Sequence, residues 1–214
     1  MEVPAHVEQL LAALRAGGFV ACPVGGCVRD SLLGRAPGDW DLCTSARPEQ
    51  VKACAAPRWR TLDTGIAHGT VTVLTEGGPV EVTTFRVEGG YSDHRRPDGV
   101  RFVADLEEDL ARRDFTINAM ALDEGGIVDP FGGRADLSAG FIRCVGEPAR
   151  RFEEDALRIL RALRFASCLD FSIEPATLAA ARAAAPTLTR VSAERVFAEL
   201  DKLLLGPDRK STRL

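Results

Sequence analysis

Two carboxylates one residue apart, Asp39-x-Asp41, follow closely on Gly25-Gly26-x-x-Arg29-Asp30. Residues 39–44 alternate polar and apolar side chains, which predicts a half-buried strand on which positions i and i+2 share a face, about 7 Å apart. Two carboxylates so placed suit hard cations. Mg²⁺ takes oxygen ligands, commonly one or two carboxylates with substrate phosphates completing the shell, and a pair of ions about 4 Å apart can activate a hydroxyl and stabilise a departing pyrophosphate. Alone, such a pair is more often a solvated turn feature. The glycines add to it, because between a strand and a helix they let backbone amides approach a phosphate, and Arg29 one turn on can reach the same anion. A plain tight turn is the simpler alternative, and the pattern is neither GxGxxG nor a Walker A loop.

Further along, Glu81 has the opposite parity to Val80 and Val82, so it can face away from a core and join Asp39 and Asp41 if its strand neighbours theirs. Arg112-Arg113-Asp114 reads either as a surface charge cluster or as a ligand-binding tripeptide. Asp155, Arg158, Arg161 and Arg164 recur every third residue over 152–168, and at about 100° per residue the first three share one side of a single helix, with Arg164 at its margin. That side is either a solvated salt-bridge face or a base-reading edge. In the second case a carboxylate accepts from the amino group of C or A and an arginine donates to the adjacent ring nitrogen, a combination that rejects U and G.

These residues need elements to carry them. Val7, Leu10, Leu11 and Leu14 predict a helix over 4–15 that stops at Gly17-Gly18, and residues 19–24 predict a strand. A short helix follows to Gly34, and Ser45 is placed to cap another over 48–54. β-branched runs at 68–75 and 80–85 around Glu76-Gly77-Gly78-Pro79 predict a hairpin. Residues 87–100, rich in glycine and without period, predict a loop long enough to suspect function. Helical character resumes over 106–120, a brief strand is expected at 127–128, and three helices close the chain at 152–168, 175–185 and 193–205, the last opened by Ser192.

The chain's 214 residues are 45% hydrophobic and 27% charged, enough for a sizeable core and against disorder. No run reaches the roughly 20 apolar residues of a membrane span, and the first residues are too polar and acidic for a signal peptide, so a cytoplasmic chain with no membrane partner is expected. Six cysteines without ligand spacing are expected to be reduced, buried small hydrophobes. The net charge of −4 argues against a whole-surface nucleic-acid binder but leaves room for a local basic groove. Of the 27 cations only Lys52, Lys202 and Lys210 are lysine, which suits phosphate recognition or merely reflects a GC-rich genome.

Seven segments taken in order, GGCVRD…GDWDLCTS, HGTVTV, VEVTTFR, EEDLARRDFTINAMAL, DPFGG, EEDALRILRALRF and SAERVFAELDKLL, resemble the bacterial-type (class II) tRNA nucleotidyltransferases and the related bacterial poly(A) polymerases. The resemblance covers residues 18–205. It implies an α+β fold, with a polymerase β-like nucleotidyltransferase head of mixed sheet and flanking helices over 1–147 and an all-α neck over 148–214. Relatives continue into a body and tail that hold tRNA, so the resemblance implies a chain truncated before those parts. The implied reaction is template-independent addition of C and/or A from CTP and ATP to a tRNA 3′ end with Mg²⁺, releasing pyrophosphate. The alternatives are poly(A) synthesis, or a catalytically silent nucleotide- or RNA-binding piece. In this family's terms Asp39 and Asp41 bind the metals, with Glu81 or Asp114 as a further acidic partner. Gly25, Gly26 and Arg29 meet the triphosphate, Arg112, Arg113 and Asp114 hold the ribose and phosphates, and Asp155 with Arg158 reads the base beside Arg161 and Arg164.

Residues 89–98 match a flexible element that the family associates with A addition. Deleting residues 90–99 is expected to impair A addition more than C addition, because a mobile loop can readjust the pocket between nucleotides. Single-turnover rates for each nucleotide on one tRNA acceptor check this, and equal losses contradict it.

Overall fold

Val7, Leu10, Leu11 and Leu14 are buried together on α1 (Ala5–Ala16), the first helix of the computed structural model, which describes residues 1–89 and 100–205. Burying four such side chains stabilises by about 1.5–3 kcal/mol each. The chain reverses at Gly17-Gly18 into β1 (Ala21–Pro23), then forms α2 (Gly26–Leu32), β2 (Asp41–Thr44) and α3 (Pro48–Ala55). β3 (Arg60–Gly65), β4 (Thr70–Thr75) and β5 (Gly78–Thr84) complete a five-stranded mixed sheet of order β1-β2-β5-β4-β3. β2 and β5 are parallel and the other neighbours antiparallel. The expected hairpin is β4–β5, in which Val71 faces Val82 and Val73 faces Val80, all buried. α3 packs on β3, β4 and β5.

Two short ribbons follow. β6 (Arg86–Glu88) pairs with β7 (Val100–Phe102), and after α4 (Leu106–Ala111) the strands β8 (Ala121–Asp123) and β9 (Gly126–Val128) pair with each other. The tip of the expected loop, 90–99, lies outside the described residues. These elements form one compact unit, residues 1–88, 100–112 and 118–130.

The second unit gathers residues 113–117 with 131–205, so that 131–147 belong with the helices that follow them. It contains α5 (Gly133–Ala139), β10 (Phe141–Ile142), α6 (Pro148–Glu154), α7 (Leu157–Leu169), β11 (Ser172–Ile173), α8 (Pro175–Ala184) and α9 (Ala193–Leu205). β10 and β11 run parallel, α6 packs on α8, and α7 packs on α9. Phe115 meets Phe165 edge to face, ring centroids 5.9 Å apart.

Four local expectations need correction. The segment 106–120 is not one helix: α4 ends at Ala111, and only a 3₁₀ turn, Thr116–Asn118, follows. Residues 152–168 are two helices, because Asp155 is extended at φ −149° and ψ 105°. Ser45 does not cap α3. Its hydroxyl accepts from the Val20 amide, while the Gln50 side chain accepts from the Arg47 amide at the helix start. At α9 the Ser192 carbonyl, not its buried hydroxyl, accepts from the Arg195 and Val196 amides.

The cysteines are free, and four of the six are buried. Burial, with Asp123 adding to it, pushes the Cys22 thiol up to about 11, so it stays protonated at neutral pH. No helix among the described residues is long and apolar enough to cross a membrane.

Gly69 closes the turn before β4 at φ +80°, and a Cβ there would lie 2.6 Å from the Phe102 ring. Gly69→Ala is expected to destabilise the chain by about 1–2 kcal/mol or more, from left-handed backbone strain plus the clash. Urea denaturation checks this.

Candidate active site

The acidic group in the first unit follows from strand register. Asp41 opens β2 directly opposite Glu81 on β5, and both are exposed while their neighbours Leu42 and Val82 are buried. Glu81 therefore does project away from the core, on a strand that neighbours β2. Asp39 is also exposed but precedes β2 in a bend after Pro37-Gly38, so the shared-face argument for Asp39 and Asp41 does not apply. The side chains of Asp39 and Glu81 make no hydrogen bond or ion pair with other described residues. Their oxygens are the hard donors that Mg²⁺ takes, and two carboxylates with substrate phosphates are a sufficient set. No three His, Cys, Asp or Glu side chains among the described residues converge as a ready-made metal site. Behind β2 the Cys27 thiol donates to the Val24 carbonyl at 3.4 Å, and burial pushes its pKa up.

The glycine pair is built around one position that suits glycine alone. Gly25 has φ +78° and ψ −124°, its amide donates to the Met120 carbonyl at 3.0 Å, and its carbonyl accepts from the Arg29 amide at 3.0 Å. Arg29 is buried. Its Nε and Nη2 fork onto the Asp30 carboxylate at 2.8 and 2.9 Å, and Nη1 donates to Asn118 Oδ1 at 2.6 Å. Gly26 starts α2 beside them, where a Cβ would sit 3.7 Å from Arg29 Nη2. Residue type and spacing do not single out Asn118. Its one signal is an amide inside the apolar run FTINAMAL.

Arg112 places Nε and Nη2 on Oδ1 of Asp109 at 2.9 and 2.8 Å, and the Arg86 amide donates to the same oxygen at 3.2 Å. Asp109 is fully buried. Arg113, half-buried, begins the second unit's share of the tripeptide.

In the second unit Asp114 is buried and gripped by Arg161, whose Nε and Nη2 donate to Oδ2 at 2.8 and 2.6 Å. Asp114 beside it raises the Arg161 pKa further, so that guanidinium is permanently charged. Glu199 of α9, also buried, accepts from Arg164 Nε at 2.6 Å and from Arg161 Nη1 at 3.5 Å, and the Arg164 guanidinium lies 4.1 Å from the Phe165 ring centre.

The expected common face of Asp155, Arg158 and Arg161 is broken at the first residue. Asp155 lies in the extended link between α6 and α7, and its side chain contacts Leu157 and Arg195. Arg158 is buried and donates through Nη1 to Glu154 Oε2 at 2.6 Å and to the Arg151 carbonyl at 3.1 Å. Glu154 gathers Arg150 and Arg151 as well. Glu154, Arg195 and Glu199 were legible only as members of the motifs.

A mixed sheet with acids at the start of β2 and on β5, beside a glycine turn and a clamped arginine, defines a nucleotidyltransferase head. The chain belongs to the family described as the Poly A polymerase head domain, which matches residues 21–143. Residues 170–212 match a second family, described as "Probable RNA and SrmB- binding site of polymerase A". A CCA-adding enzyme of Streptococcus pyogenes serotype M2 is 51% identical over 211 residues, 97% of this chain and 52% of the relative. The crystal structure of the Bacillus stearothermophilus CCA-adding enzyme in complex with CTP is 48% identical, with a TM-score of 0.88 over 97% of this chain and 50% of that one. The Thermotoga maritima CCA-adding enzyme complexed with tRNA is 28% identical, with a TM-score of 0.77 over 97% of this chain and 49% of its own. The chain thus spans about half the length of the relatives it matches.

Asp109→Ala is expected to cost about 3 kcal/mol, because it leaves the part-buried Arg112 charge without its carboxylate. The drop in Tm, read with the denaturant midpoint, measures it. A loss below about 0.5 kcal/mol would mean that Arg112 finds water instead.

Proposed function

We propose that the chain is the catalytic head and neck of a template-independent nucleotidyltransferase that adds C and A from CTP and ATP to the 3′ end of tRNA. The observation that carries this is the pairing of exposed Asp41 on β2 with exposed Glu81 on β5, two residues after exposed Asp39, on a chain 48% identical to a CTP-bound CCA-adding enzyme. Asp39 and Asp41 would hold Mg²⁺, which when bound supplies hydroxyl activation and charge neutralisation on the departing pyrophosphate. Glu81, beside Asp41, adds negative charge to that position. The Gly25 turn brings backbone amides close to the triphosphate, and Arg29, locked by Asp30 and Asn118, offers its guanidinium to the same anion. Arg112, Arg113 and Asp114 bracket the ribose and phosphates. Asp155 accepts from the amino group of the incoming base and Arg158 donates to the ring nitrogen, with Arg161 and Arg164 lining the pocket. A carboxylate is a poor partner for the carbonyls that U and G present, and this mismatch supplies selection without a template. A cytoplasmic location accompanies this reading.

The test is Mg²⁺-dependent labelling of a tRNA that ends at its discriminator base, with each nucleotide alone and in mixtures. Ordered incorporation from CTP and then ATP supports the proposal. Long runs from ATP alone would make the chain a poly(A) polymerase, and nucleotide binding without transfer a silent piece. Asp41→Ala is expected to lower transfer by at least about a thousandfold with an unchanged far-ultraviolet spectrum, since several kcal/mol of charge stabilisation is removed. Near-parental turnover by that variant would sink the metal assignment.

A further inference from the structure

The valines of β4 and β5 point into the core, and the alternate residues of these strands make the other side of the sheet. On that side the row begun by Asp41 and Glu81 continues, because Glu81 lies opposite Thr72 and Thr83 lies opposite Thr70. Thr72 Oγ1 is 2.7 Å from Thr64 Oγ1, and Thr70 Oγ1 is 2.9 Å from Thr83 Oγ1. The first contact depends on a bulge in β3 between Leu62 and Gly65, which brings Thr64 onto Thr72 when regular pairing would set it against Thr70. Gly65 takes that place instead, and a Cβ there would lie 2.9 Å from Thr70 Cβ.

A hydroxyl has one proton and two lone pairs, so two hydroxyls bonded to each other keep one proton and three lone pairs between them. The four threonine hydroxyls make no other hydrogen bond among the described residues. Each pair thus both donates and accepts toward whatever lies on the sheet, as a ligand hydroxyl requires and a carboxylate alone cannot do.

Strand order decides which reactant lies there. β1 flanks β2 on one side, and the Val24 amide just before the Gly25 turn donates to the Asp41 carbonyl at 3.0 Å, while β5 and then β4 lie on the other side. In an in-line displacement the acceptor's 3′-oxygen bonds to the α-phosphorus as the bond to pyrophosphate breaks. Pyrophosphate leaves with the electron pair and the hydroxyl proton passes to water, so the entering and leaving oxygens stand on opposite sides of the phosphorus. With the triphosphate at the Gly25 turn, the acceptor's terminal ribose enters from the β5 and β4 side. Neighbouring strands are about 4.8 Å apart, which puts the Thr72 hydroxyl within a sugar's width of the acids. The ribose 2′-hydroxyl, on the carbon next to the attacking one, is itself both donor and acceptor. We propose that the Thr64–Thr72 pair, with Thr70–Thr83 behind it, binds the 2′-hydroxyl of the acceptor strand's terminal ribose and makes the site select RNA ends over DNA ends. This rests on the reading of Asp39, Asp41 and Glu81 as the metal-binding acids and of the Gly25 turn as the triphosphate site.

The plainer role of such pairs is to tie neighbouring strands together, and that role is blind to the sugar at the acceptor end. The experiment is single-turnover C transfer by the 214-residue chain to two acceptors, a tRNA that ends at its discriminator base and the same tRNA with one 2′-deoxynucleotide at that position, together with thermal melts. The effect of the 2′ group on the 3′-hydroxyl itself is common to all variants and cancels when their ratios are compared. The parent is expected to favour the ribose end by at least about tenfold, and Thr72→Val to lose most of that preference by slowing the ribose acceptor alone, with Thr72→Ser keeping it. If Thr72→Val slows both acceptors alike, or lowers Tm with the ratio intact, the threonines only tie strands and the proposal is overturned. A parent that extends both ends equally overturns it too. A parent that extends neither end defeats the nucleotidyltransferase reading itself, and the proposal with it. Should Thr72→Val not fold, Thr64→Val removes the same pair from an exposed position and carries the comparison.

Discussion

Four residues of parallel pairing between β2 and β5 govern the chemistry of the first unit. Parallel neighbours cannot be joined by a tight turn and need a crossover of a dozen or more residues. Here α3, β3 and β4 supply it, with β4 returning antiparallel beside β5. Opposed residues of paired strands share a face, so Asp41 and Glu81 emerge together while Leu42 and Val82 are buried. A one-residue slip would turn Glu81 into the core and Val82 into water. Leu42 and Val82, opposed in that register, are both buried, so the placement of the acids is inherited from the core.

The arginines are the second constraint. Composition left two explanations for their excess over lysine, phosphate recognition and codon bias, and the structure adds a third use. Arg29 forks onto Asp30, Arg112 onto Asp109, Arg161 onto Asp114 and Arg195 onto Asp155, while Arg158 meets Glu154. Desolvation offsets most of the Coulomb gain in such pairs, so they add little net stability when intact. They supply fixed geometry, because a planar guanidinium orients whatever carboxylate it meets. In the second unit Asp114, Asp155, Arg158, Arg161 and Arg164 are in this condition, each held by a partner on another turn or another helix.

Much of the scaffold is legible in the sequence because it is local. Valine and leucine at helical spacing followed by Gly17-Gly18 specify α1, β-branched runs around Gly77-Gly78 specify the β4–β5 hairpin, and α9 occupies the residues that its spacing indicates. The outward direction of Glu81 is equally local, since parity along a strand is a property of the backbone. The candidate acids, glycines and arginines are recognisable by type and order, and the family resemblance rests on that linear arrangement.

What the linear order leaves open is partner choice. Asp155 continues a helical pattern in the sequence, yet the chain breaks there, where the carboxylate binds the Leu157 amide and the guanidinium of Arg195. Asn118 meets Arg29 from 89 residues away, and Asp114 meets Arg161 from 47. Asp39 falls outside β2 although alternation includes it, because Pro37-Gly38 delays the strand. Periodicity reports only which side of an element is apolar. Linear order does not tell which of the chain's 31 acidic residues a distant arginine meets, because only folding brings such pairs within hydrogen-bond distance. The sequence by itself therefore determined the elements, the family and the residue types of the site. The tertiary structure decided which carboxylate each arginine holds, and with it which acceptor atoms remain for a nucleotide.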